Sequence, residues 1–391
     1  MMELIKNQAY WLFLLALITC SCSERETWIE QGIQTAVQQY DTLSREALER
    51  KMLPQSVEDG ETKWVNQQAW TSGYFPGSLW FLYELTNDSK WKEKAVKVNH
   101  LLDSLNMKAT MHDIGLILYC SYGNGLNSVE DPYYTTVLLK GANVLADRFN
   151  ETTGVIRSWD FGEWQYPVII DNMMNLELLW WAYQQTGTER FKNIVISHAN
   201  TTLKNHFRDD YSSFHVVDYD TLTGKAIGKG TFQGTDDTSA WARGQAWGAY
   251  GYTCMYRFTG DQQYLAQAEK VISFFFNHPN LPADLIPYWD FDAPNIPNEP
   301  RDAAAAAIMA SALLELSTLT EDGTLYLEKA TSLLKALSAP EYLAPPGTNH
   351  HFILKHSTGF KPANREVDAP LNYADYYYLE ALTRYQKIKT K

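Results

Sequence analysis

Two stretches place a carboxylate at the first turn of an apolar, helix-like segment: Met111-His112-Asp113-Ile114-Gly115 and Asp171-Asn172-Met173-Met174-Asn175. An isolated aspartate in that place is ordinarily an N-cap, satisfying free backbone N–H groups and the helix dipole. Here His112 adjoins Asp113, and Asn172 and Asn175 lie close to Asp171. If both helix starts open into one cleft, the aspartates form a coupled pair. One carboxylate can then hold the other protonated, which makes a general acid at neutral pH. A third stretch runs from Gly230 to Gly248 and contains Gln233, Trp241, Arg243, Gln245 and Trp247 among small residues. Arg243 and Trp247, four apart, share a helix face. Arginine can fork onto a carboxylate, and tryptophan can pack on the apolar face of a sugar ring. The plainer alternative is a core tryptophan stripe with a structural arginine. Trp64, Trp70, Trp159, Trp164 and His215 fall in or near proposed loops, and that mixture suits a carbohydrate cleft better than an apolar pocket.

These residues need a scaffold, and the chain supplies helical periodicity almost everywhere after Trp28. Thr86-Asn-Asp-Ser-Lys-Trp91, Thr259-Gly-Asp-Gln-Gln-Tyr264 and Thr320-Glu-Asp-Gly-Thr-Leu-Tyr326 repeat one pattern, with Thr186-Gly-Thr-Glu-Arg-Phe191 as a looser copy. In each, one helix ends and a polar turn caps the next. The pattern predicts twelve helices, over 28–50, 74–86, 89–105, 110–123, 131–149, 171–186, 189–207, 240–258, 261–277, 302–318, 323–338 and 371–387. Twelve helices in six hairpins predict an all-α toroid, an (α/α)6 barrel; an open solenoid of the same hairpins is the alternative. Longer non-helical stretches near 150–170, 208–239, 278–300 and 340–370 would form loops at the barrel mouth, where sites are usually built.

The chain has 391 residues, 45% hydrophobic and 14% aromatic, with a formal net charge of −13. That apolar content excludes a disordered chain. The acidic balance argues against nucleic acid, whose phosphates need a basic footprint. Lys6 and the apolar run Trp11–Ile18 read as an export signal, and Leu17-Ile18-Thr19-Cys20 is similar to a bacterial lipobox. Residues 1–22 are therefore expected to be a lipoprotein-type signal, lipidated at Cys20 or Cys22, followed by a single catalytic domain over 23–391. Ordinary secretion is the alternative; in either case the protein is expected to be exported, to the periplasm or cell surface of a bacterium. Cys120 and Cys254 read as free buried thiols. There is no phosphate-binding loop, dinucleotide fingerprint, nucleophile elbow or HExxH helix, and His350-His351 lacks a carboxylate at metal spacing, so neither metal nor cofactor is expected.

Taken together, His112-Asp113, Asp171–Asn175, His215-Val-Val-Asp218, Gly230–Gly248, His356-Ser-Thr-Gly359 and Asp375–Ala381 resemble glycoside hydrolase family 88, the unsaturated glucuronyl hydrolases. The resemblance spans most of the chain after residue 22 and implies the (α/α)6 barrel. It also implies removal of the C4=C5 unsaturated uronic acid that a lyase leaves at the non-reducing end of an oligosaccharide. Asp171 matches the family's acid/base and Asp113 the second aspartate. His112, Trp159, His215, Gln233, Arg243 and Trp247 match positions that hold the unsaturated sugar, and Trp70 is a further carry-over. Ser357 and Thr358 lie where family members sense substituents on the next sugar. Two other functions fit parts of the sequence: an unsaturated rhamnogalacturonyl hydrolase acting on pectin fragments, and a non-catalytic glycan-binding lipoprotein.

Overall fold

The computed structural model describes residues 27–105, 107, 110–126 and 128–390. The expected signal and its lipidation sites Cys20 and Cys22 lie outside the described residues. Twelve α-helices are present among them: α1 (Thr27–Arg50), α2 (Tyr74–Thr86), α3 (Ser89–Asn99), α4 (Ile114–Leu118), α5 (Pro132–Ala146), α6 (Leu176–Thr186), α7 (Glu189–Asn205), α8 (Ala242–Thr259), α9 (Gln262–Asn277), α10 (Ala303–Leu316), α11 (Gly323–Leu337) and α12 (Asn372–Lys389).

Burial separates them into two rings. All of α10 is buried, as are Ala242 to Met255 of α8 and nearly all of α12 as far as Thr383. A helix that is apolar or small-sided all round must be covered on every side. These even-numbered helices form the inner ring, in the order α2, α4, α6, α8, α10, α12 and back to α2, with α2 meeting α4 through the π turn Tyr119–Gly123 that continues it. The odd-numbered helices bury one stripe each and lie outside. The first described helix packs on the last: the Trp28 and Tyr385 rings are 5.4 Å apart, and Tyr40 donates to Asp375 at 3.1 Å. That contact closes a toroid and excludes the open solenoid.

Two of the four repeated turns cap the next helix as expected, whereas Thr188 and Asp322, at the starts of α7 and α11, make no side-chain cap bond. Asp88 and Asp261 accept from backbone N–H groups two residues on, capping α3 and α9, while Asn87, Gly187 and Gly260 end α2, α6 and α8 in the left-handed conformation. Cys120 and Cys254 are free and buried.

Three small sheets interrupt the helices. β1 (Leu53–Glu58) pairs with β2 (Glu61–Val65), and β3 (Phe149–Asn150) with β4 (Val155–Ile156). β5 (Pro167–Ile169), β6 (Val216–Tyr219) and β7 (Ala226–Gly230) form an antiparallel sheet in that order, with Ile169 opposite Val216 and Val216 opposite Gly230. The segment expected to open a helix at 171 is a 3-10 turn, Ile170–Asn175, that leads into α6. The helix expected over 110–123 is a short α4 continued by a π turn, Tyr119–Gly123. The one expected over 89–105 ends at Asn99 and is followed by a 3-10 turn. No described helix is long and apolar enough to cross a membrane.

Candidate active site

The inner helices all begin at the same end of the barrel, and residues at or just before the starts of five of them line one cavity of about 370 Å³: Trp70 before α2, Asp113 before α4, Asp171 in the turn before α6, Arg243 in α8 and Tyr373 in α12. That volume falls in the usual range for a small-molecule site. Neither aspartate caps its helix, because no side-chain cap bond is made at α4 or at the Ile170–Asn175 turn. Asp302, by contrast, caps α10 through the Ala304 N–H. The two cavity carboxylates are thus free of the ordinary structural duty of an aspartate at a helix start.

Local pairing fixes where they stand. The His112 N–H donates to Ser158 O at 2.9 Å, Ser158 N–H to Pro167 O at 2.9 Å, and Ile170 N–H to His215 O at 3.0 Å. The segment around Ser158 therefore stitches the Asp113 turn to β5, and β5 runs into the Asp171 turn. A second link is the Asn175 Oδ1, which accepts from the Leu116 N–H at 2.8 Å. Gly115 permits that approach, since a Cβ there would lie 2.6 Å from Asn175 Oδ1 and 2.7 Å from its Cβ. Gly115→Ala must push α4 away from the turn. Overpacking of this kind costs about 1–3 kcal/mol. The variant should melt earlier and lose turnover beyond what its lost stability explains; normal turnover would show that the spacing of the two aspartates is not critical.

Burial sets the electrostatics. It pushes the carboxyl groups of Asp113 and Asp171 up to about 7. Arg243 opposes the shift at Asp171, the Asp113 charge reinforces it, and the Trp247 indole adds a smaller stabilisation of the carboxylate. Asp171 Oδ2 has no hydrogen-bond partner among the described residues. Burial also holds His112 and His215 down to about 3, so both imidazoles are neutral. His215 Nδ1 accepts from the Phe232 and Gln233 N–H groups at 3.0 and 3.1 Å. Its proton therefore resides on Nε2, which faces Asp171 Oδ2 at 3.6 Å. His112 Nε2 stands 3.4 Å from Asp113 Oδ1.

Of the residues singled out in the sequence, Asp113, Asp171, His112, Trp70, Trp159, Gln233 and Arg243 line the cavity together. His215 and Trp247 lie behind Asp171, acting on its carboxylate and not on the cavity wall. Ser357 and Thr358 are buried with their side chains off the cavity, and their neighbours Gly359 and Phe360 line it instead. Arg243 is not a free clamp: it donates to Asp302 Oδ2 at 2.6 Å, Thr358 O at 2.6 Å and Gly359 O at 2.7 Å.

Sequence reading missed Gln55 and Lys63 from the β1–β2 hairpin, Phe161, Phe232, Phe360, Arg365, Glu366 and Tyr373, all of which line the cavity. Phe161 stacks on Trp159 with ring centroids 5.0 Å apart and leaves 56% of its surface open, extending an aromatic wall toward the mouth. Lys63 Nζ pairs with Glu366 Oε1 at 3.2 Å. The Arg365 guanidinium lies over the Phe360 ring at 5.2 Å and has no acidic partner among the described residues. No three described His, Cys, Asp or Glu side chains converge to hold a metal ion. The arrangement offers a proton donor of near-neutral pKa, aromatic faces, and the cations Lys63, Arg243 and Arg365 in the same cavity. It suits acid–base chemistry on an anionic sugar.

Known proteins point the same way. An unsaturated glucuronyl hydrolase of Formosa agariphila is 51% identical over 330 residues, covering 84% of this chain and 82% of that protein. An unsaturated chondroitin disaccharide hydrolase of Streptococcus pneumoniae is 33% identical, covering 83% of each. The crystal structure of an unsaturated glucuronyl hydrolase specific for heparin superposes with a TM-score of 0.91 at 50% identity, covering 94% of this chain and 99% of that one. No protein-family model matches. Half of the aligned residues shared with one relative, a third with another, and a barrel that superposes over 94% of the chain leave one conclusion: the chain belongs to the unsaturated glucuronyl hydrolases, glycoside hydrolase family 88.

Proposed function

We propose that the protein removes the 4,5-unsaturated uronic acid from the non-reducing end of lyase-generated, glycosaminoglycan-type oligosaccharides, with Asp171 as the acid/base. The observation that carries this reading is the pair of uncapped aspartates in one cavity, each with its carboxyl pushed up to about 7. An enol ether is activated by protonation at carbon, so a placed acid matters more than a nucleophile. Asp171 gives its proton to C4, leaving positive charge shared by C5 and the ring oxygen. Water adds to C5 and returns a proton to Asp171. The C5 hemiketal opens to a ketone, and the hemiacetal left at C1 expels the next sugar. No glycosyl–enzyme bond forms, so the separation of the carboxylates does not dictate retention or inversion. Asp113 supports the protonated state of Asp171, while Trp159 and the open face of Phe161 supply packing surface for sugar rings.

We place the next sugar against Arg365, a cavity-lining cation that, unlike Lys63 and Arg243, has no acidic partner among the described residues. A sulfate group there would give it a charge-assisted contact. The test is an absorbance assay of the conjugated double bond over sulfated and unsulfated disaccharides from glycosaminoglycan lyases, with pectin-lyase products beside them. Glycosaminoglycan products should be consumed, sulfated ones faster, and Arg365→Ala should erase the sulfate advantage. Preference for the pectin products would favour a rhamnogalacturonyl hydrolase, and binding without loss of absorbance a non-catalytic glycan binder. Export as a lipoprotein anchored through Cys20 or Cys22 is the accompanying proposal, supported by the apolar run Trp11–Ile18 and the cysteines that follow it.

A further inference from the structure

Asp302 belongs to none of the sequence motifs, yet it is fully buried at the start of α10, with its charge at the centre of a junction. Its Oδ2 accepts from Arg243 at 2.6 Å, its Oδ1 accepts from the Ala304 N–H at 3.1 Å, and the Thr358 N–H lies 3.5 Å from that same Oδ1. Arg243 also donates to Thr358 O and Gly359 O. Gln233 Nε2 donates to Gly359 O at 3.1 Å, and the Ala303 N–H to His356 O at 3.0 Å. The segment that carries Gly359 and Phe360 into the cavity is thereby sewn to the first turns of α8 and α10. Held by these three bonds, the guanidinium is fixed beside Asp171, resting over the Trp241 ring at 4.5 Å and the Tyr373 ring at 5.3 Å.

We infer that Asp302 is a positioning and charge-balancing residue for the reaction: it anchors Arg243 against the 357–360 segment and neutralises part of the positive field that Arg243 casts on Asp171. The inference rests on Asp171 being the acid. The charged or titratable groups facing Asp171 are Arg243 from α8, Asp113 from the turn before α4, Tyr373 from α12 and the neutral His215 before β6; those facing Arg243 are Asp171, Asp302 and Tyr373. Arg243 already holds the Asp171 carboxyl lower than burial alone would. Without the Asp302 charge that pull grows, and Asp171 surrenders its proton at lower pH.

Asp302→Asn tests this: with its amide oxygen kept on the Ala304 N–H it retains the cap and the size, while the NH2 that replaces Oδ2 removes both the charge and the hydrogen bond accepted from Arg243. The alkaline limb of kcat, where the acid loses its proton, should move down by about half to one pH unit, the scale of a unit charge acting through a partly buried site. The Arg243→Gln/Asp302→Asn double variant leaves no unpaired buried charge and remains measurable if the single variant folds poorly. Its limb should move up, because Asp171 then loses the guanidinium as well. A residue that merely held the loop would raise KM or lower kcat and leave the limb in place, so an unmoved limb in Asp302→Asn, or a double variant whose limb coincides with that of Arg243→Gln alone, would overturn the inference. Failure of the underlying reading is separately visible: the wild-type protein would leave the double bond intact, or Asp171→Asn would retain normal turnover.

Discussion

Asp171→Asn should yield a folded protein that consumes the conjugated double bond about 10²–10⁴-fold more slowly than wild type, the range that a placed general acid contributes. The amide matches the carboxyl in shape, and the neutral His215 at 3.6 Å can face it without a new clash. What the amide lacks is a proton acidic enough to pass to a vinylic carbon and, afterwards, a carboxylate able to take one from water. The cavity keeps its aromatic wall, with Trp159 and Phe161 stacked, and its cations, so substrate should still bind. The expected signature is a collapse of kcat with a dissociation constant within a few-fold of wild type. The absorbance assay gives the first and calorimetric titration with an unsaturated disaccharide the second. Normal-speed loss of absorbance would remove Asp171 from the mechanism.

The scaffold was legible because its logic is local. Helix periodicity, an aspartate cap and a left-handed residue after the preceding helix recur at Thr86–Asp88 and Thr259–Asp261, and each announces a hairpin without help from distant chain. The two aspartates could be read for a related reason, since polar neighbours such as Asn175 at an apolar helix start need an explanation beyond capping. What could not be read was built by long-range contact. Arg243 looks like a ligand clamp in sequence, but its partners are Asp302, 59 positions away, and the carbonyls of Thr358 and Gly359, 115 and 116 away. Ser357 and Thr358 hold a place in the right loop, yet the backbone turns their side chains inward and delivers Phe360, Arg365 and Glu366 to the cavity. That segment follows no period: His356, Asn364, Glu366 and Asp368 all adopt positive φ, a conformation that side-chain patterning does not announce. Gln55 and Lys63 arrive from a hairpin whose relation to the cavity is purely tertiary.

The same burial that readies the acid must strain the fold at alkaline pH, and this gives the second large effect. In the unfolded chain each aspartate titrates near 3.8, whereas in the folded protein Asp113 and Asp171 hold their protons up to about 7. A group with a raised folded pKa contributes full stability below its unfolded pKa and loses it as pH climbs through the folded one. Above about pH 7, ionising either buried carboxyl therefore works against folding, with an upper bound of about 4 kcal/mol for a carboxyl moved this far from its ordinary value. The pair can share a proton, and each side chain keeps an open edge, 16% exposed for Asp113 and 13% for Asp171. A net effect of about 1–3 kcal/mol is the reasonable expectation. Asparagine at either place carries no such load. Asp113→Asn and Asp171→Asn should thus melt roughly 1–4 °C above wild type at pH 8, on the entropy scale of a chain this long. The advantage should fade toward pH 4, where the folded aspartates are neutral and the unfolded ones are taking up their protons. Melting curves recorded across that interval decide the matter: curves that converge toward acid identify two carboxyls kept neutral at a cost to the fold, whereas curves that run parallel at every pH would mean that these aspartates titrate like any others and that the cavity has no stored acid to deliver.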